Sequence, residues 1–411
     1  MRILLIHQNF PGQFVHLAPA LIQRGHEVLA LTVEGNKRPY SGRLVRYKHK
    51  PPVLDASMPQ LARTFAEHAA RGETVARACA TLRDKHNFVP DVVFGHIGWG
   101  ETLFLKEVWP EARHILYAEL FYRPRGLDTG FDPELQRDDL WQRVWINSRQ
   151  AHLLLAMNGA DQAVSPTEWQ AHSFPAEMRD KISVIHDGID TGRLRPDPSA
   201  AVELPGTSLR LAAGDEVLTF VNRNLEPYRG YHTFMRALPA VMAARPSAQV
   251  VIVGGDGVSY GSKPIGSDTW KERFLDEVKD KLDLSRVHFI GNVPYPMFVD
   301  LMRVTRAHAY LTYPFVLSWS MLEAMSAGAL VVGSRTPPVE EVITDGINGR
   351  LVDFFDVPAW SAALTEVLAA PKRFMGMRQA ARQSIIDRYD LDTTCLPRMI
   401  ALVEGTGTAG G

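Results

Sequence analysis

The sequence repeats one short pattern: an apolar run of four or five residues, a polar or glycine-rich turn, then a helical stretch. That alternation restricts the chain to parallel α/β folds more than any other feature. Ile3-Leu4-Leu5-Ile6 is the first apolar run. It is followed by polar His7-Gln8-Asn9 and a turn at Pro11-Gly12, then a helical stretch over about 13–24 that Gly25 closes. Residues 28–32 form the next strand, giving a strand–loop–helix–strand unit of about thirty residues, the size of a βαβ crossover. Further strands are predicted at 91–94, before the glycine-rich 96–100, at 115–117 leading into Glu119, at 160–164 and at 182–185. A second series starts with a strand at 217–221 and a helix over 231–245 that ends before Pro246. Strands at 250–253, 287–290, 309–312 and 330–333 continue it. Residues 187–207, rich in Pro, Gly and Asp and without periodicity, read as a linker between two domains. The expected fold is α/β, two doubly wound parallel sheets facing a central cleft, with ligands at the C-terminal ends of the strands.

Length and composition agree with that plan. At roughly 150 residues per domain, 411 residues suggest two or three domains. A formal net charge of -1 argues against a dedicated nucleic-acid binder. Cys79 and Cys395 lie far apart and match no metal-ligand spacing, so neither a disulfide framework nor a zinc site is expected. The apolar start is too short for a signal peptide, and no run of eighteen apolar residues occurs, so the expectation is a cytoplasmic protein. Residues 404–411 are mostly Gly, Thr and Ala and are expected to fray.

The first βα turn excludes hydride-transfer chemistry. A nicotinamide or flavin fold needs GxGxxG there, with an acidic residue about twenty positions on. This chain has Asn9-Phe10-Pro11-Gly12 instead, and no GxxxxGK[ST] loop follows elsewhere. Gly254-Gly255-Asp256-Gly257 fails the spacing. Phosphate binding by backbone amides stays open, because it needs only a glycine such as Gly12 and a helix start.

The second half carries the chemistry. Between Tyr313 and Gly328, a loop after a strand enters a helix whose interior holds Glu323 among apolar neighbours. A carboxylate there could accept hydrogen bonds from two adjacent hydroxyls of a diol, although the residues alone leave open an ordinary surface glutamate. Upstream, Arg223 and Arg229 stand at a strand-to-helix turn, where two guanidinium groups and a helix N-terminus can hold a diphosphate. Solvated loop arginines are the alternative.

These residues resemble the retaining nucleotide-sugar glycosyltransferases of family 4, which have the two-domain GT-B fold with Rossmann-like halves. The likeness spans almost the whole chain. His7 to Gly12 resembles the family's first loop, and Ala160-Asp161 through Ser165 a strand ending in a serine. Ile185-His186-Asp187-Gly188-Ile189-Asp190 resembles the "nGvD" hinge, and Arg223, Pro227 and Arg229-Gly230 the "R…P.KG" clamp, with arginine in place of lysine. Leu322-Glu323-Ala324-Met325 with Gly328 resembles "LEAMA.G", and Glu341-Val342, Asp345-Gly346 and Asn348-Gly349 resemble "EV..dG.nG". The order and spacing of these segments carry the resemblance. It implies an acceptor-side domain at 1–200, a nucleotide-sugar domain at 205–384 and a C-terminal helix at about 385–405 that returns to the first. It further implies Glu323 on the ribose hydroxyls, Arg223 and Arg229 on the diphosphate, Ser318-Trp319-Ser320 near the distal phosphate or sugar, and Asn292-Val293 near the base. The donor would be a nucleoside-diphosphate sugar, UDP favoured over GDP, used as substrate with no cofactor and no metal. The acceptor would be a sugar, a lipid-linked glycan or a small-molecule hydroxyl. Retention would need no enzyme nucleophile if the departing diphosphate itself takes the acceptor proton.

Two positions depart from the family. A second glutamate usually stands eight positions before the one in "LEAM"; here it is Phe315, which could stack on a sugar face while Ser318 or Ser320 replaces some hydrogen bonds. Where relatives place a histidine after the 114–118 strand, this chain has Glu119. That carboxylate could accept from hydroxyls or stabilise developing positive charge, or simply pair with Arg123 or Arg125. His96 is a further candidate beside it. Asp390-Leu391-Asp392 matches a DxD pattern but reads as a helix boundary. Residues 37–50 place six basic residues, Lys37, Arg38, Arg43, Arg46, Lys48 and Lys50, in an alternating segment. This is either a solvated strand face or a contact for anionic lipid at the inner face of a membrane. Residues 121–134 are a candidate acceptor loop. A catalytically weakened nucleotide-sugar-binding protein and a GT-B sugar-nucleotide epimerase are the alternative readings.

Overall fold

The structure is a computed structural model and describes residues 1–406. Its contacts separate two units: Met1–Gly130, Gln136–Asp187 and the chain from Asp392 form the first, and Phe131–Leu135 with Gly188–Leu391 form the second.

The first unit is built on a seven-stranded sheet. Its strands are β1 (Arg2–Ile6), β2 (Glu27–Val33), β3 (Arg43–Tyr47), β4 (Val92–His96), β5 (Arg113–Tyr117), β6 (Gln162–Ser165) and β7 (Ile182–Val184), in the order β3-β2-β1-β4-β5-β6-β7. All neighbours are parallel, with Ile3 opposite both Val28 and Val92. Side chains alternate across a strand, so a sheet covered on both faces requires an unbroken apolar run. Ile3 and Leu5 face a core that includes Leu17, Leu21, Met399 and Val403, while Leu4 and Ile6 face one that includes Val75, Cys79 and Leu82. Both cysteines are buried.

The second unit carries a six-stranded parallel sheet. After the antiparallel pair β8 (Ala201–Glu203) and β9 (Arg210–Ala212) come β10 (Val217–Asn224), β11 (Gln249–Gly255), β12 (Val287–Gly291), β13 (Ala307–Tyr310), β14 (Leu330–Ser334) and β15 (Arg350–Val352). Their order is β12-β11-β10-β13-β14-β15. Val217, Val221, Val251 and Val253 bury one face with Met321, Leu322 and Met325, while Phe220 stacks on Phe234 at 4.5 Å on the other.

Several local expectations change. The helix expected over 13–24 breaks into a single turn at Gly12–Phe14 and a helix at Leu17–Gln23, because Pro19 is tolerated only in a first turn. The linker contains strand β8, and the boundary falls at 187/188 rather than 200. Ile189, Leu194, Ala200, Val202 and Leu204 sit in the same core as Val217. The return to the first unit comes at 392 rather than 385, since Ile385 and Tyr389 also belong to that core. The final helix, Leu396–Glu404, packs Met399, Leu402 and Val403 into the first unit. Glu404, expected to fray, instead accepts from Arg24 at 2.7 and 2.9 Å and lies 2.8 Å from His26 Nε2. Residues 407–411 of that tail lie outside the described residues. The basic segment includes strand β3 at the sheet edge, where Arg43 pairs with Glu27 at 2.5 Å and Lys48 with Glu34 at 3.7 Å. A 27-residue helix, Gln60–His86, was not foreseen. Among the described residues no helix is long and apolar enough to cross a membrane.

One side chain of the helix Met375–Tyr389 makes three of its ties to the rest of the unit. Arg382 donates to the carbonyls of Leu194 at 2.8 Å, Ser326 at 2.7 Å and Thr191 at 3.1 Å. Charged donors of this kind contribute about 1.5–3 kcal/mol each when partly buried. Arg382→Ala is therefore expected to lower the stability of the second unit by about 2 kcal/mol or more, read from the urea midpoint at constant m. An unchanged midpoint would remove the claim that this arginine fastens the helix.

Candidate active site

In the second unit the connections run from β10 through β11 to β12 on one side and resume at β13 on the other. The strand order therefore reverses between β10 and β13. Open α/β sheets bind ligands at such a point, because adjacent loops diverge there. The loop after β10 carries Arg229 and the loop after β13 carries residues 312–318.

Arg229 ends a short turn, Pro227–Arg229, and is 5% exposed. Its Nη1 donates to Thr312 Oγ1 at 2.8 Å and to the Val316 carbonyl at 2.9 Å. The guanidinium carbon lies 5.1 Å from the Tyr260 ring centre and 5.8 Å from that of Phe315. Gly230 allows this approach: its φ is +68°, and a Cβ there would stand 2.2 Å from Leu311 Cβ. Arg223, by contrast, is exposed at the end of β10 and makes no ion pair among the described residues. The structure thus separates the two arginines into one buried and one solvent-facing group.

The helix Trp319–Ala327 begins in the same loop, with Ser318 as its N-cap. Ser318 Oγ accepts from the Ser320 amide at 3.3 Å and lies 2.9 Å from Ser320 Oγ, while the Ser318 amide donates to the Tyr310 hydroxyl at 2.8 Å. Trp319 is 37% exposed. One turn on, Glu323 is 8% exposed, which overturns the surface-glutamate reading. It accepts from the Tyr295 hydroxyl at 2.7 Å. Burial pushes its carboxyl up to about 7, against the opposing pull of Tyr295 and Arg193. Phe315 is nearly buried, ringed by Tyr260 at 4.9 Å and Tyr228 at 5.4 Å. Asn292 is exposed and Val293 half-buried, just past the end of β12.

The first unit reverses strand order between β1 and β4, and the remaining candidates collect there. His96 closes β4, 2% exposed, stacked on Trp99 at 4.0 Å. Its Nδ1 accepts from the Gly98 amide at 2.9 Å, so in the neutral ring Nε2 carries the proton. That Nε2 lies 3.5 Å from Glu119 Oε2, and Gln13 Nε2 donates to Glu119 Oε1 at 3.3 Å. Both carboxylate oxygens therefore face donors. Gly12, with φ +51°, lies over the His7 ring, where a Cβ would be 2.5 Å from Nε2. Burial first, then His96, lowers the His7 pKa to about 3. Of the two arginines offered as alternative partners of Glu119, Arg123 and Arg125, the first donates to the carbonyls of His172, Ser173 and Phe174.

A family model described as glycosyl transferase family 4 group matches residues 24–194, and one described as glycosyl transferases group 1 matches residues 207–384. This chain belongs to the family 4 glycosyltransferases. The D-inositol 3-phosphate glycosyltransferase of Nocardia farcinica is 29% identical over 231 residues, 54% of this chain and 48% of the relative. That of Segniliparus rotundus is 26% identical over 224 residues, 54% of this chain and 47% of the relative. The family 4 chain thus spans about half the length of the curated relatives it matches. Among solved structures, sucrose-phosphate synthase from Thermosynechococcus elongatus gives a TM-score of 0.70 at 16% identity, covering 98% of both chains. Anabaena HepE in complex with UDP-glucose gives 0.65 at 15%, covering 98% of this chain and 100% of that one. These likenesses establish the fold of the family 4 chain, two parallel-sheet α/β units of the GT-B type.

Sequence reasoning missed Tyr295, Glu226 and Tyr260. Tyr295 sits between Pro294 and Pro296 at a helix start, the one local signal that could have marked it. Glu226, 1% exposed, accepts the amides of Ser259 and Tyr260 at 3.2 Å and so seats the polar insertion after Gly257 beside Arg229.

The raised Glu323 pKa has a stability consequence. The folded chain holds this proton more tightly than the unfolded chain, so the stabilisation is complete below about 4.5 and is lost as pH rises through about 7. Glu323→Gln is expected to gain stability over the parent by about 1–3 kcal/mol more at pH 8 than at pH 5. Parallel urea curves at the two pH values check it, and a pH-independent difference would count against a buried, proton-retaining Glu323.

Proposed function

We propose that this chain transfers a glycosyl group, with retention, from a nucleoside-diphosphate sugar to a hydroxyl of a polyol, glycan or lipid-linked acceptor. The observation that carries this reading is the grouping in the second unit. A buried carboxylate suited to a diol, a buried guanidinium and a capped helix N-terminus all belong to elements at one switch point. Glu323 would take the ribose hydroxyls, Arg229 and Arg223 the diphosphate, and the amides at Ser318–Ser320 the distal phosphate or sugar. The donor we favour is a UDP-sugar, in keeping with the UDP-glucose of the HepE complex. A polyol acceptor is in keeping with the inositol phosphate in the relatives' names.

In the step itself, the bond between the anomeric carbon and the diphosphate oxygen breaks and a bond to the acceptor oxygen forms on the same face. The acceptor proton passes to the departing diphosphate. Charge accumulates on that leaving group, and the arginines are suited to stabilise it. In the first unit, Glu119 accepts from Gln13 and lies 3.5 Å from His96 Nε2, and would be placed to accept from a sugar hydroxyl. Residues 37–50 add a peripheral contact for an anionic lipid surface. Lys37, Arg38, Arg46 and Lys50 are its exposed cations without a carboxylate partner among the described residues, while Arg43 and Lys48 already have one.

Incubation with UDP-, GDP- and ADP-sugars and a panel of polyol and sugar acceptors tests the reading. Transfer with retained anomeric configuration is expected, whereas donor binding without transfer or hydrolysis would favour a binding protein, and a C2-epimerised donor an epimerase. Arg223→Ala is expected to lower kcat a hundred- to thousandfold, about 2.7–4 kcal/mol of transition-state stabilisation. A change confined to KM would place it in ground-state binding instead. Turnover is expected to survive EDTA; loss that Mg²⁺ or Mn²⁺ restores would replace the arginines with a metal as the main charge stabiliser.

A further inference from the structure

The chain leaves the first unit after Gly130, contributes the five residues Phe131–Leu135 to the second, and rejoins the first at Gln136. Three of those five residues are anchored. The Phe131 ring lies 5.2 Å from Tyr313, 5.3 Å from Phe354 and 5.2 Å from Phe355. Asp132 is fully buried. Its Oδ1 accepts the amides of Glu134 at 2.9 Å and Leu135 at 3.2 Å, which folds the strap into a turn. Its Oδ2 accepts the Tyr313 hydroxyl and lies 3.2 Å from His232 Nε2. Glu134 then grips Arg236 with two hydrogen bonds, at 2.7 and 2.8 Å.

Tyr313 joins this strap to the loop that begins the candidate donor site. It is 1% exposed, and a buried phenol needs a partner for its O–H. Asp132 is that partner. The Tyr313 amide donates to the Tyr228 carbonyl at 2.9 Å, and the two rings lie 4.8 Å apart. Thr312, immediately before it, takes one hydrogen bond of Arg229, and Phe315, two residues on, flanks the same guanidinium. If Tyr313 loses its acceptor, the phenol must turn or stay unsatisfied, and its neighbours on the loop shift with it.

We infer that the 131–135 strap is a positioning element of the donor site, with Asp132 fixing Tyr313 so that residues 312–318 and Arg229 meet a nucleotide in register. This rests on the donor site proposed above. None of these residues touches the reacting atoms; Asp132 and Tyr313 act through Thr312, Phe315 and Arg229.

The test compares the full chain with Asp132→Ala, Asp132→Asn, Tyr313→Phe and the double variant Asp132→Ala/Tyr313→Phe. UDP, GDP and ADP binding by calorimetry and donor KM and kcat are measured beside the melting temperature. Asp132→Ala and Tyr313→Phe are each expected to weaken diphosphate binding and raise donor KM roughly three- to tenfold, with a smaller change in kcat. The double variant should be no weaker than Asp132→Ala alone, since Tyr313→Phe removes only the hydrogen bond that Asp132→Ala has already removed. Asp132→Asn keeps an acceptor oxygen for the phenol and should retain most of the affinity. If Asp132→Ala does not fold, Tyr313→Phe, which removes only a hydroxyl, decides alone. Unchanged affinity and KM in folded variants, or additive effects in the double, would overturn the strap while leaving the donor site standing. Failure of the parent chain to bind any of the three diphosphates would overturn the donor site and the strap with it.

Discussion

A guanidinium taken out of water must find partners in fixed positions, and Arg229 is the group around which the second unit's loops are arranged. It cannot lose its charge, and its planar donors accept only certain geometries. Thr312 and Val316 meet two of those requirements from the loop after β13, and the rings of Tyr260 and Phe315 cover its faces. Each of these contacts fixes a different stretch of chain. Glu226 supports the arrangement from behind, because its buried carboxylate holds the Ser259 and Tyr260 amides and so keeps Tyr260 in place. The 3₁₀ turn at Pro227–Arg229 is compatible with all this only because Gly230 lets it lie against Leu311.

The same logic governs the first unit with different chemistry. There the reversal of strand order gathers imidazoles instead of guanidinium groups, and they are buried with their tautomers set by backbone amides. Asn9 donates to His7 Nδ1 at 2.9 Å, and Gly98 does the same for His96. A buried neutral imidazole with one nitrogen so occupied can offer only its other N–H, and in His96 that group points at Glu119. The outcome is a carboxylate with a buried imidazole N–H 3.5 Å from one of its oxygens.

How far the chain could be read from its sequence follows from the range of the forces involved. Ile3–Ile6 and Val250–Val253 were recognisable because a strand covered on both faces must be apolar throughout, a local property. The burial of Glu323 was only half legible: Met321, Leu322, Ala324 and Met325 single out the carboxylate, but the residues alone leave an ordinary surface glutamate open. The helix Gln60–His86 was not legible, because its buried stripe is thin and chemically mixed: Gly72, Val75, Cys79 and Leu82 among alanines and arginines. The strap was invisible for a different reason. Asp132 and Tyr313 stand 181 positions apart, and a single hydrogen bond leaves no periodicity in either segment. The domain limits shifted because residues 189–204 look like a linker by composition yet place five apolar side chains in a core.

Phe315 is the departure from the family that the structure makes intelligible in electrostatic terms. Many arginines of this chain are neutralised within the protein: Arg24 by Glu404, Arg43 by Glu27, Arg236 by Glu134 and Glu277. Arg229 is not. Its hydrogen bonds go to a hydroxyl and a carbonyl and two aromatic rings flank it; the Glu226 carboxylate attracts it without a salt bridge, and among the described residues neither it nor Arg223 forms an ion pair. A glutamate at position 315 would place a carboxylate on the same loop as Thr312 and Val316 and compete for the guanidinium. A phenylalanine there excludes water and lowers the local dielectric without cancelling charge, so the field of Arg229 is strengthened for whatever anion approaches. An arginine whose hydrogen-bond partners are neutral, with a second left in solvent, forms no structural ion pair, and the diphosphate of the proposed donor would bring the negative charge that both lack.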